Sequence, residues 1–322
     1  MLINLTFLLL GLGALVWGAE WLVRGSAKLA RMLGIPPLAI GLTIVAYGTS
    51  SPEMVVNINS VLSGNEDIAL GNVVGSNIFN VLFILGVCAM VLPLSVEAKL
   101  IRLDVPIMVF VSFLLYTFCF DHNLAVWEGL VLLSGCALYT WFCFFYSKKE
   151  GKAVQEEYEK EFGSGSSRKP ADIAKNASLI VFGLVILVIG AKWLVNASIE
   201  LARAFGVSEL VIALTIVAAG TSLPEVATSI LATLKGERDI AIGNVVGSNI
   251  FNILAIMGVS AVTSGGLEIN PKSMVLDIPF MIFVAVLCYP IFRSHSSISR
   301  LEGALFFFLY AGYTVYLIQS QH

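Results

Sequence analysis

Residues 41–80 read GLTIVAYGTSSPEMVVNINSVLSGNEDIALGNVVGSNIFN, and residues 213–252 read ALTIVAAGTSLPEVATSILATLKGERDIAIGNVVGSNIFN. The two stretches align without a gap at an offset of 172, with 26 of 40 positions identical, so the chain carries an internal duplication. The duplication extends outward. Trp21-Leu22-Val23 recurs as Trp193-Leu194-Val195, Leu29-Ala30-Arg31 as Leu201-Ala202-Arg203, and Asp104-x-Pro106 as Asp277-x-Pro279.

Both copies sit in strongly apolar sequence. Of 322 residues 57% are apolar or aromatic and only 13% are charged, with a mean hydropathy of +0.88. A soluble domain carries roughly 25% charged residues to cover its surface, so this composition belongs in a membrane. Runs of the roughly 20 apolar residues that a crossing needs fall near 2–23, 37–62, 68–92, 104–120 and 125–146, and again near 177–195, 209–233, 240–263, 274–292 and 303–319. The first has no basic residue ahead of it and is too long for a signal peptide, so it counts as a span. Lipid offers no partner to open backbone groups, and no run alternates as a barrel strand does, so the crossings should be helices.

The expected fold is therefore all-α and integral to the membrane, with ten transmembrane helices in two five-helix repeats, residues 1–146 and 177–322. Between them, residues 147–176 hold seven basic and six acidic residues and then a Gly/Ser/Pro cluster, which predicts a short charged helix and a flexible linker. Five crossings is an odd number, so the second repeat enters from the opposite side and the halves are inverted. Placing the linker on one side collects 16 of the 19 Lys and Arg there, leaving Lys192, Arg203 and Lys272 opposite. That side is cytoplasmic by the positive-inside rule, which puts both termini outside a multi-pass protein of the cell (inner) membrane.

Several classes fall away. A net charge of -3 rules out a nucleic-acid binder working by counterion release. The five Cys lie in apolar runs without C-x-x-C spacing, and His122, His295 and His322 fall in loops or at the terminus. Disulfide frameworks, zinc sites and an intramembrane metalloprotease are thus unsupported, and neither an enzyme nor a bound cofactor is expected. Nothing in the sequence assigns an oligomeric state.

An inverted repeat with interrupted helices is the architecture of secondary transporters, whose sites lie at the midplane where the repeats meet. Here Gly48-Thr49-Ser50-Ser51-Pro52-Glu53 and Gly220-Thr221-Ser222-Leu223-Pro224-Glu225 interrupt apolar runs. Each proline removes an N–H and should free the carbonyl of Gly48 or Gly220. An ionisable side chain in a crossing helix is costly and usually functional. Two equivalent carboxylates brought toward one axis, Glu53 and Glu225, would repel each other strongly without a cation between them. Asn72, Ser76 and Asn80 share one helix face, as do Asn244, Ser248 and Asn252. These amides and hydroxyls either complete a cation shell or pack helices together. For Gly71-x-x-x-Gly75 and Gly243-x-x-x-Gly247, helix packing is the expected role. Carboxylate, amide, hydroxyl and carbonyl together suit a hard cation.

The paired G-T-S-x-P-E segments, each followed by G-N-V-V-G-S-N-I-F-N, resemble the two α-repeats of the Ca2+/cation antiporter superfamily. Within it they resemble the prokaryotic sodium/calcium exchanger branch rather than the proton-coupled branch with its G-N-x-x-E. The resemblance implies Ca2+ ligation by Glu53 and Glu225 with Thr49 and Thr221 beside them. It also implies flanking Na+ sites from Ser50, Ser76, Ser222, Ser248 and the carbonyls of Ala46 and Ala218. Some members carry an aspartate where this chain has Asn80 or Asn252, so the site here has two formal negative charges rather than three. The implied activity is exchange of Na+ for Ca2+ by alternating access, with the two cations as transported substrates and the bilayer as surroundings. The alternative is a Ca2+/H+ or other proton-coupled exchanger using the same site. A channel is disfavoured by the two-fold repeat in one chain.

Overall fold

The computed structural model describes residues 2–162, 170–205 and 218–320. It is helical apart from four two-residue strands. The helices are α1 (Leu2–Leu33), α2 (Pro37–Thr49), α3 (Ser51–Leu62), α4 (Glu66–Val91), α5 (Leu100–Asp121), α6 (Val126–Phe162), α7 (Pro170–Ala204), α8 (Leu223–Leu234), α9 (Arg238–Ser264), α10 (Ser273–His295) and α11 (Arg300–Ser320). A helical turn, Ala218–Gly220, precedes α8.

Among the described residues, seven helices are long and apolar enough to cross a membrane: α1, α4, α5, α6 up to Phe145, α7, α9 and α10. The expected span 37–62 is two shorter helices, α2 and α3, that meet at Ser50. The expected span 209–233 survives as Ala218–Gly220 and α8, residues 206–217 lying outside those described. The charged helix expected after residue 146 is not separate but continues α6 to Phe162, because nothing between Tyr146 and Phe162 breaks it beyond the single Gly151. The Gly/Ser cluster at 163–167 lies outside the described residues.

α4 and α9 form the centre, with 78% and 83% of their most apolar stretches buried, against 28% to 44% in the other five. These two helices carry the repeated G-N-V-V-G-S-N-I-F-N. Around them the outer helices turn large side chains such as Phe110, Leu138 and Phe182 outward, as lipid contact requires. Gly243 and Gly247 on α9 seat the backbone of Leu38 to Leu42 on α2; a Cβ on Gly247 would stand 2.5 Å from the Leu42 oxygen. The packing role expected for these two glycines is thereby borne out. Gly71 and Gly75 have no such neighbour among the described residues.

The first helices of the two halves, α1 and α7, lie against each other. Gly11 meets Gly190, Gly18 meets Gly183 and Gly25 meets Asn176, so rising residue numbers on α1 face falling ones on α7. Equivalent helices thus run antiparallel. The contact is backbone on backbone, since a Cβ on Gly18 would sit 2.7 Å from the Leu187 nitrogen and 2.8 Å from the Gly183 oxygen.

Two small antiparallel ladders tie loops across the halves. β1 (Leu94–Ser95) pairs with β4 (Ser297–Ile298), and β2 (Asn123–Leu124) pairs with β3 (Leu267–Glu268). α11 opens with a capping box, in which the Glu302 carboxylate accepts the Ser299 N–H at 2.8 Å and the Ser299 hydroxyl accepts the Glu302 N–H at 3.3 Å.

Candidate functional site

The site is built on two helix breaks. Ser50 (φ -81°, ψ 8°) and Ser222 (φ -88°, ψ 8°) leave the helical region, and α3 and α8 restart after them with Pro52 and Pro224 in the first turn. A proline there forfeits no hydrogen bond, because first-turn N–H groups have no partner within the helix. Upstream, the Ser50 N–H still reaches the Ala46 carbonyl at 3.0 Å, and the Thr49 hydroxyl lies 3.3 Å from the same oxygen. The Gly48 carbonyl is not free as its spacing from Pro52 predicts. The last turn of α2 tightens and a cap N–H reaches it.

Glu53 and Glu225 follow in the first turns of α3 and α8, each 1% exposed. The halves then interlock. The Ser50 hydroxyl donates to Glu225 Oε1 and the Ser222 hydroxyl donates to Glu53 Oε1, both at 2.9 Å. Each carboxylate is therefore held by the serine at the other half's break. Ser76 Oγ on α4 lies 3.3 Å from Ser222 Oγ. The Thr49 hydroxyl donates to Asn244 Oδ1 at 3.0 Å, and that of Thr221 approaches Asn72 Oδ1 at 3.5 Å. Asn72 and Asn244 are occupied on their donor sides too, by Asn57 Oδ1 at 2.6 Å and Ser229 Oγ at 2.9 Å.

The remaining oxygens behave differently. Glu53 Oε2, Glu225 Oε2, Asn80 Oδ1, Asn252 Oδ1 and Ser248 Oγ are buried without a hydrogen-bond partner. An unmatched buried polar atom costs about 1–3 kcal/mol, and more if charged, so such atoms call for a ligand. Four of the five are carboxylate or amide oxygens, which only accept, and an oxygen-only set suits a hard cation. Among the described residues no three His, Cys, Asp or Glu cluster. The unmatched set comprises two carboxylate oxygens and three neutral ones.

Of the sequence-predicted residues, Thr49, Ser50 and Glu225 fall in one hydrogen-bonded set that includes the Ala46 carbonyl, and Glu53, Ser76 and Ser222 fall in a second with Thr221 at its edge, while Asn80, Asn252 and Ser248 supply unmatched atoms on α4 and α9. Ala218 begins the turn leading to the second break. Sequence reasoning missed Asn77 and Asn249, which grip each other across the centre, and Asn57 and Ser229, which hold Asn72 and Asn244. A signal for the first pair existed, since both belong to the identical ten-residue segment, one position off the face carrying Ser76 and Ser248.

The two half-helices are covered unequally. On α8, Leu223, Ala227 and Leu231 pack into an apolar cluster with Leu15, Ala19, Leu22 and other residues of α1. The counterparts on α3, namely Ser51, Val55 and Asn59, are exposed, Val55 by 57%. At the covered end, Lys235 pairs with Glu20 at 2.7 Å and Arg31 with Glu237 at 3.1 Å. The repeat places Ser63, Lys192, Arg203 and Asn65 at the corresponding positions, a set that cannot form those pairs.

A family model described as sodium/calcium exchanger protein matches residues 3–145 and 175–319. The putative antiporter CaxA of Alkalimonas amylolytica is 36% identical over 326 residues, covering 99% of this chain and all of that one. The sodium/calcium exchanger MaX1 of Methanosarcina acetivorans is 34% identical, covering 98% of each chain. Among solved structures, the sodium-calcium exchanger NCX_Mj soaked with zero Na+ and Ca2+ superposes with a TM-score of 0.83 at 27% identity, over 100% of this chain and 99% of that one. In 2.5 mM Na+ and 0.1 mM Ca2+ its TM-score is 0.81, with 97% of both chains covered.

Proposed function

The chain belongs to the sodium/calcium exchanger protein family, and from that premise we propose that it exchanges Na+ for Ca2+ across the inner membrane by alternating access. Glu53 and Glu225 bind Ca2+ together, with Asn80, Asn252 and the hydroxyls of the two breaks completing the shell. Sodium ions occupy overlapping positions that use Ser50, Ser76, Ser222, Ser248, Thr49, Thr221 and the carbonyls of Ala46 and Ala218. The observation that carries this reading is the set of buried, unmatched oxygens on both carboxylates and both amides.

Two carboxylates balance one Ca2+, and the same two can be shared by Na+ ions with help from neutral ligands. Leaving the carboxylates bare in a low dielectric is costly, so the protein changes state readily only when cations compensate them. Ions shift that equilibrium only by their differential binding. The unequal cover of α3 and α8 supports alternation, since an inverted repeat can exchange the two arrangements. α1 and α7, joined backbone to backbone, are the elements expected to slide. The seven long apolar helices, the two broken spans and α11 support ten crossings, and the antiparallel α1–α7 seam supports inversion. The basic loops put the linker in the cytoplasm and both termini outside.

Flux in proteoliposomes tests the reading. An imposed Na+ gradient should drive 45Ca2+ against its own gradient, and an imposed pH gradient of equal driving force should not. Uptake driven by the pH gradient alone would assign a proton-coupled exchanger instead.

A further inference from the structure

Asn77 and Asn249 form a reciprocal clamp where α4 and α9 cross. The Asn77 amide donates to the backbone carbonyl of Asn249 at 3.2 Å, and the Asn249 amide donates to the backbone carbonyl of Asn77 at 3.1 Å. The same two NH2 groups face thioether sulfurs, Met281 Sδ at 3.6 Å and Met108 Sδ at 3.7 Å. Carbonyl oxygens and thioethers accept and never donate, so neither amide can be turned round. Each Oδ1 must then receive an N–H. Asn252 Nδ2 supplies one to Asn77 Oδ1 and Asn80 Nδ2 supplies the other to Asn249 Oδ1, both at 3.0 Å. With their NH2 groups committed, Asn80 and Asn252 each turn the oxygen the other way, and those oxygens are two of the buried unmatched atoms.

We infer that Asn77 and Asn249 are positioning residues of the cation site, each holding the amide of the opposite half so that its oxygen serves as a ligand, and that this ring keeps the site at two formal charges. The inference rests on the reading of Asn80 and Asn252 as cation ligands. The second part follows from donor counting. An aspartate at 80 or 252 has no N–H to give, so a carboxylate oxygen would face Asn249 Oδ1 or Asn77 Oδ1 as acceptor against acceptor. The clamp cannot flip to relieve it, because that would set an amide oxygen against a backbone carbonyl.

The clamp is crossed, and that makes it testable against a plain packing role. Asn77 acts through Asn252 and Asn249 through Asn80. Calcium affinity is measured by titration calorimetry, and KM and kcat by Na+-driven 45Ca2+ uptake, on full-length protein. Asn77→Ala should raise the Ca2+ Kd and KM about 10- to 100-fold, as loss of a group orienting a metal ligand does, while kcat stays within about three-fold. In an Asn252→Ala background the same change should add less than about two-fold, and in an Asn80→Ala background it should retain its full effect. Asn249→Ala should show the mirror pattern. Asn77→Ser, whose hydroxyl can still receive the Asn252 N–H, should recover part of the affinity, and it substitutes for the alanine variant if that does not insert. Equal effects in both backgrounds, or none in wild type, would overturn the clamp while leaving the ligand assignment intact. If Asn80→Ala and Asn252→Ala themselves leave Ca2+ affinity unchanged, the ligand reading falls and the clamp with it.

Discussion

Replacing Glu53 by Gln tests the site at the atom that matters most. Glu53 Oε1 accepts the Ser222 hydroxyl and Oε2 has no partner. A glutamine that keeps the Ser222 bond through its carbonyl must place its NH2 where Oε2 stood, so a neutral donor replaces the anionic acceptor proposed to bind the cation. Removing one member of a buried charge pair costs about 3–5 kcal/mol, which at about 1.4 kcal/mol per decade is roughly a 10²- to 4 × 10³-fold loss of affinity. Glu225 is placed equivalently, with Ser50 on Oε1 and Oε2 unmatched, so Glu225→Gln should lose as much. Each variant is reconstituted in proteoliposomes, checked for monodispersity, and assayed for 45Ca2+ uptake under an outward Na+ gradient. Uptake should be abolished at Ca2+ concentrations that saturate the wild type. A monodisperse variant with unchanged Ca2+ KM would refute the assignment of that carboxylate.

Three further outcomes follow from the same geometry. Asn252→Asp should change the Na+ and K+ competition curves against Ca2+ uptake, because it adds a carboxylate and breaks its bond to Asn77; curves superimposable on wild type would remove Asn252 from the site. Gly18→Ala should destabilise by about 1–3 kcal/mol, as overpacking does, because its Cβ would press on the backbone of Leu187 and Gly183; an unchanged melting temperature in detergent would argue against the close α1–α7 seam. Exchanging residues 152–169 for a neutral flexible segment of equal length, which also removes the end of α6, should leave Na+-driven Ca2+ exchange within about three-fold, since none of the oxygens proposed as ligands lies in it and loop-closure cost grows only slowly with length. Loss of exchange in that correctly inserted variant would make the segment a regulatory element.

Much of this protein is legible in one dimension because the duplication writes the important positions twice. The two G-T-S-x-P-E segments marked the helix breaks and their glutamates, and apolar run length against bilayer thickness marked the seven long apolar helices among the described residues. Both are local quantities that need no tertiary information. Tertiary structure decided whatever depends on which atoms meet. Proline chemistry predicted a free carbonyl at Gly48, but a tightened turn returns an N–H to it. The serines beside the breaks could have bonded within their own half, and it is the seating of α3 and α8 on the central pair α4 and α9 that brings the two breaks together and sends Ser50 to Glu225 and Ser222 to Glu53. Asn77 and Asn249 are not legible in the sequence because helical periodicity reports only which residues of one helix point together. Their placement depends on the crossing of α4 and α9, where a side chain one position off the Ser76 or Ser248 face reaches the partner helix and takes the NH2 of Asn252 or Asn80, leaving that amide's oxygen unmatched.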